Sequence, residues 1–132
     1  PVFLLAILSA QRTGEYLSDS VYAQRVVLIL KEMGELTKAL GVVLLNRSVL
    51  PAAKLLALPQ NQAIEEVREI GRRLLLSAPN HKMSALQDYE NGKPLEIEET
   101  VRYALDKAVT MGIAMPETQL AYNEVGQLMA SR

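Results

Sequence analysis

Residues Asp19–Leu40 read DSVYAQRVVLILKEMGELTKAL, and their spacing decides the fold class. Tyr22, Val26, Ile29, Met33, Leu36 and Leu40 recur at alternating four- and three-residue steps, which is the period of one helical face. Gln24, Arg25, Lys31, Glu32, Glu35 and Lys38 lie mostly off that stripe. Ser18, Asp19 or Ser20 can cap the first turn, and Gly41 can take the left-handed conformation that closes the last. Val26 to Leu30 is apolar on every side, so this helix is expected at the centre of the molecule, covered on more than one face.

Outward from this helix the same grammar repeats. Ile64, Val67, Gly71, Leu74 and Leu75 share a face between Gln60 and Ser77, with Glu65, Glu66, Arg68, Arg72 and Arg73 largely outside it. Pro51 and Pro59 bracket a short helix, Ala52 to Leu58, because proline is tolerated in a first turn. After Ala78-Pro79 a further helix is expected from Asn80 to about Glu90, ending at the turn Asn91-Gly92-Lys93-Pro94. Glu96 to Met111 follows through Ile97, Val101, Ala104, Leu105 and Ala108, and Gly112 closes it. Pro116 opens the last helix, which Leu120, Val125 and Leu128 carry toward Arg132. Alternating apolar and polar runs of strand length are lacking, as are hairpin turns between such runs. The expectation is one compact all-α domain of about six helices spanning residues 1–132.

Composition narrows the chemistry. A chain of 132 residues suits a single domain that buries roughly two thirds of its unfolded surface. Fourteen Lys plus Arg against fifteen Asp plus Glu leave a net charge of -1, so no electrostatic footprint for nucleic acid or anionic membrane is present. The lack of Cys and the single His81 exclude disulfide frameworks, thiol catalysis and multi-histidine metal sites, and they fit a cytoplasmic compartment. The longest apolar run, Val2 to Leu8, is far short of the ~20 residues that span a bilayer. Pro1 opens directly onto that run without an initiator Met, which leads us to expect truncation at the N-terminus. No glycine-rich phosphate cradle and no familiar nucleophile signature occurs in the chain.

The stretch Pro79 to Pro116 contains Ser84-Ala-Leu-Gln-Asp88, the turn at Gly92, Glu96-Ile97, then Gly112-Ile113 and Pro116. Ser84 lies near a helix start, where its hydroxyl could bind a carboxylate or phosphate oxygen or simply cap the helix. Glu96 also opens a helix, where the dipole alone would favour a carboxylate. Asp88 falls four residues after Ser84 on the same face and is read as a partner of the following turn. His81, with no carboxylate orienter beside a nucleophile, reads as a surface or capping histidine.

This block resembles the C-terminal helical domain of ketopantoate reductases (2-dehydropantoate 2-reductases). Their pattern runs roughly Ser-Met-Leu-Gln-Asp, a basic turn around Gly, Glu-Ile-Asp, a helix, then Gly-Ile-x-x-Pro. Thr13-Gly14-Glu15-Tyr16-Leu17 resembles the family's Asn-Gly-Glu-Leu turn, and Ala39-Leu40-Gly41-Val42 its helix-ending Ala-Leu-Gly. The resemblance implies a fold like the helical second domains of 6-phosphogluconate-dehydrogenase-like enzymes and a place in pantothenate biosynthesis. It further implies a Rossmann domain on the N-terminal side that binds NADP, and hydride transfer to a small 2-keto acid. On that reading Ser84 binds the substrate carboxylate, Thr13 falls at a substrate-binding position, and Glu96 contacts the cofactor ribose region. The general-acid lysine of the family aligns before Pro1, so the isolated chain would be catalytically silent, and no metal is implied.

Two departures bear on substrate. Phe3 and Thr13 stand where the family's second and third substrate-binding Asn fall, and Val101-Arg102 replaces an Asn-Gly pair. An apolar Phe cannot hydrogen-bond a substrate hydroxyl. These departures point to another 2-keto acid or a related carbonyl compound, with ketopantoate the default by name. The rival expectation is a non-enzymatic helical dimerisation or interaction module. An exposed apolar patch around Pro1 to Leu8, covered by a cofactor domain or in a homodimer, is also expected.

Overall fold

The computed structural model describes residues 1–42 and 49–131, and every element among them is helical. In chain order these are α1 (Phe3–Ser9), α2 (Thr13–Ser18), α3 (Ser20–Ala39), α4 (Ala52–Leu56), α5 (Gln60–Ser77), α6 (Ser84–Glu90), a π-helical turn (Glu98–Arg102) that runs into α7 (Tyr103–Thr110), and α8 (Pro116–Ala130). Arg132, expected at the end of the last helix, lies outside the described residues.

Helix α3 holds the centre. Asp19 caps it by accepting hydrogen bonds from the backbone N–H groups of Val21 and Tyr22, at 2.8 and 3.1 Å. Its Val26, Val27, Ile29 and Leu36 are buried, and α1, α2, α4, α5 and α8 all pack on it. The all-round apolar stretch thus finds cover on several sides. At its far end Gly41 takes a positive φ and Val42 N–H bonds back to the Thr37 carbonyl at 2.8 Å.

The first helix corrects the expectation of an exposed N-terminal patch. Leu4, Leu5, Ala6 and Ile7 are fully buried, because α1 threads between α6 and α8 and also touches α2 and α3. Burying Leu4, Leu5 and Ile7 stabilises the fold by about 1.5–3 kcal/mol per side chain. Pro1, Val2, Phe3 and Leu8 remain half-buried. The largest exposed apolar side chains lie elsewhere, with Leu76 88% and Val109 81% exposed.

Other elements shift in ways that packing explains. Residues 13–17 form a helix instead of a turn, and α2 lies against α5 so closely that the backbones meet at glycines. A Cβ on Gly71 would collide with Ser18 N and lie 2.8 Å from the Leu17 carbonyl carbon. A Cβ on Gly14 would sit 3.0 Å from the Gly71 carbonyl oxygen. In α8 the inward face is Thr118, Ala121 and Val125, so Leu120, expected inside, is 49% exposed. Glu32 of α3 determines that rotation: its carboxylate accepts from Glu117 N and Thr118 N, both at 2.8 Å, and from the Thr118 hydroxyl at 2.7 Å. Arg25, two turns earlier on the same face of α3, donates to Glu117 and Glu124 at 2.6 Å each.

Candidate functional site

The segment after α5 sets up the site. Pro79 blocks helix continuation, and residues 80–83 stay outside any helix, so α6 starts at Ser84 and not at the expected Asn80. Two hydrogen bonds clip this segment to the start of α2. Thr13 N–H donates to the His81 carbonyl at 2.8 Å, and the Thr13 hydroxyl meets His81 Nδ1 at 2.7 Å. Thr13 is fully buried, and His81, exposed as the surface reading expects, anchors the stretch three residues before Ser84.

Helix α6 then ends in a tight return. Gly92 adopts φ +70, a conformation costly for any residue with a Cβ, and Lys93 N–H bonds to the Asp88 carbonyl at 2.9 Å. The chain comes back through Pro94-Leu95-Glu96 beside α6 and enters the π-helical turn, where the Thr100 hydroxyl donates to the Glu96 carbonyl at 2.5 Å. Because α1 packs against α6, its first residue, Phe3, closes the remaining side.

Between these elements lies an open cavity of about 310 Å³, small for a ligand site. Its polar lining is Ser84, Asp88, Glu96 and Thr100, and its apolar lining is mainly Phe3, Met83 and Leu95. Ser84 and Glu96, more than ten residues apart in sequence, therefore converge on one concave surface with the start of α1. The Ser84 hydroxyl is not used as a cap: Met83 holds the cap position of α6 without a side-chain bond, and Ser84 Oγ has no partner among the described residues. The carboxylate of Glu96 is likewise free of ion pairs among the described residues and is exposed. Asp88 lines this cavity too, although the sequence pointed it at the turn; the four-residue spacing from Ser84 was the available clue. Thr100 and Met83 carried no motif and were not foreseen.

Thr13 lies apart from this group. Its side chain is sealed in the core, where it bonds to His81, two residues before Met83. Lys82 also points elsewhere, pairing with Glu90 at 2.9 Å beside a separate cleft formed with Asn80 and Gln87.

Ionised carboxylates only accept hydrogen bonds, and no basic side chain lines the cavity among the described residues. The surface can orient a ligand through the Ser84 hydroxyl and can receive hydroxyl or amide N–H donors at Glu96 and Asp88. It supplies no positive charge to neutralise an anionic ligand. No group of three or more metal-binding side chains occurs among the described residues, and no helix among them is long and apolar enough to cross a membrane.

Residues 3–129 match the family model described as "Ketopantoate reductase PanE/ApbA C terminal". No curated protein and no solved structure matches the chain significantly.

Proposed function

The chain belongs to the ketopantoate reductase C-terminal domain family, and on that premise we propose that it is the substrate-binding half of an NADP-dependent reductase acting on 2-keto acids. The observation that carries this reading is the convergence of Ser84, Glu96 and Phe3 on one open cavity. An interaction module would have no reason to gather a serine not used as a cap and a carboxylate free of ion pairs among the described residues on one concave wall.

Reduction of a 2-keto acid adds a hydride to the carbonyl carbon and a proton to its oxygen. NADPH, held mainly by a Rossmann domain on the N-terminal side, supplies the hydride when bound. The residues present fit a part of that cofactor: Glu96 offers free acceptor oxygens suited to ribose hydroxyls, and a cavity of about 310 Å³ admits a keto acid beside the end of a dinucleotide but not a whole one. The Ser84 hydroxyl donates to the substrate carboxylate and fixes its orientation. Asp88 and Glu96 make the wall acidic, so the positive charge that balances the substrate carboxylate comes from outside this lining, as does the general-acid lysine, which aligns before Pro1 at the start of the helical domain. The cavity is open, which leaves room for such a closure.

Steady-state kinetics on the full-length protein test this. Loss of a hydrogen bond to a charged group is worth about 1.5–3 kcal/mol, so Ser84→Ala is expected to raise KM for the keto acid about 10- to 100-fold while leaving KM for NADPH unchanged. Glu96→Ala is expected to raise KM for NADPH and spare that for the acid. Unchanged KM values in both variants would defeat the assignment.

A further inference from the structure

Resting on the reductase reading, we infer that Phe3 and Met83 set the substrate class: the cavity selects 2-keto acids whose side chain is apolar and discriminates against those whose side chain carries a hydroxyl. Phe3 is the first residue of α1 and lines the cavity beside α6, and Met83 immediately precedes Ser84. An acid anchored through its carboxylate at Ser84 has a side chain only a few bonds long, which must lie against these neighbours. A benzyl ring and a thioether surface offer no strong acceptor or donor.

Two of the acceptors on the same wall have other employment. The Thr100 hydroxyl is engaged with the Glu96 carbonyl, and Glu96 is committed to the cofactor on the reductase reading. Asp88 is the remaining acceptor, one helical turn beyond Ser84. A hydroxyl pressed against Phe3 and Met83 loses its water without a partner, which weakens the transition state for the hydroxylated acid relative to its apolar counterpart. Phe3 also rests partly on the core, so its ring has a fixed backing and cannot simply swing away to admit water.

The test compares ketopantoate with its counterpart in which methyl replaces the terminal hydroxyl, using the full-length protein and NADPH oxidation. Calorimetric titration of each acid without NADPH serves as an independent readout. The methyl compound is expected to lead by about 10- to 100-fold in kcat/KM, with tighter binding in calorimetry. Phe3→Asn should shrink that ratio toward unity or invert it, and Phe3→Leu should retain it. Equal or better use of ketopantoate by the parent protein overturns the inference while leaving the reductase reading intact. Failure of both acids, and of other 2-keto acids, to bind or turn over overturns both. A ratio dependent on Asp88→Asn but indifferent to Phe3→Asn also overturns it.

Discussion

Replacing Glu32 with Ala is expected to loosen the last helix more than any exposed-residue change could. Helix α8 begins at Pro116 with no side-chain cap of its own, and Glu32 of α3 fills that role from across the fold. Its carboxylate accepts two backbone N–H groups of the first turn and the hydroxyl of fully buried Thr118. Hydrogen bonds to a charged group contribute about 1.5–3 kcal/mol each, and loss of a cap alone about 1. The three bonds share one acceptor, so their losses overlap, and a net cost of about 2–4 kcal/mol is expected, larger than the half-kcal/mol scale of surface changes. For a domain of this size that corresponds to a drop of roughly 8–16 °C in Tm. Glu32→Gln keeps one carbonyl acceptor and should cost about half as much. Urea unfolding gives the free energies, and hydrogen exchange at Glu117 and Thr118 localises the change. A loss below about 0.5 kcal/mol for Glu32→Ala, with unaltered exchange in α8, would refute the idea that α3 caps α8.

Gly71→Ala tests the closeness of α2 and α5: helix propensity favours Ala by up to about 1 kcal/mol, but the new Cβ meets rigid backbone at Ser18 and Leu17, so a net loss of at least about 1–3 kcal/mol is expected in urea unfolding. Tyr16→Phe should be neutral or stabilising by up to about 1 kcal/mol, because the Tyr16 hydroxyl is buried without a partner among the described residues and burial pushes its pKa well up; a clear loss would mean that the hydroxyl is satisfied. Thr13→Val removes the hydroxyl clip to His81 at nearly constant volume, and about 0.5–1.5 kcal/mol of stability should go with it. In the full-length protein the same variant should raise KM for the keto acid more than KM for NADPH, since Thr13 positions the segment that carries Ser84.

Much of the helical skeleton is legible in the sequence, because local period and punctuation suffice for it. The α3 and α5 stripes are found largely as written, with Leu40 and Leu75 exposed, and the closing glycines at 41, 92 and 112 each have positive φ. What local pattern could not supply is tertiary. Thr13 to Leu17 resembled a turn, yet packing against α5 holds it as a helix. Leu120 matched the apolar period of α8 but faces out, since Glu32 rotates the helix to bury Thr118. Val2 to Leu8 looked like an uncovered face and is in large part core, because α6 and α8 return to cover it. At the site, the Ser84–Glu96 block announced the two polar residues by motif. That Phe3, some eighty positions earlier, shares their cavity follows only from α1 packing on α6. Thr13 fell at a substrate position by alignment, and its burial and its bond to His81 follow only from the tertiary packing.

The most direct test of the half-site account is a crystal structure of the full-length protein with NADP and a 2-keto or 2-hydroxy acid bound. The acid is expected in the Phe3–Ser84 cavity with its carboxylate within hydrogen-bond distance of Ser84 Oγ, and a cofactor ribose against Glu96. Cofactor and acid bound together on a face remote from α6 would contradict it.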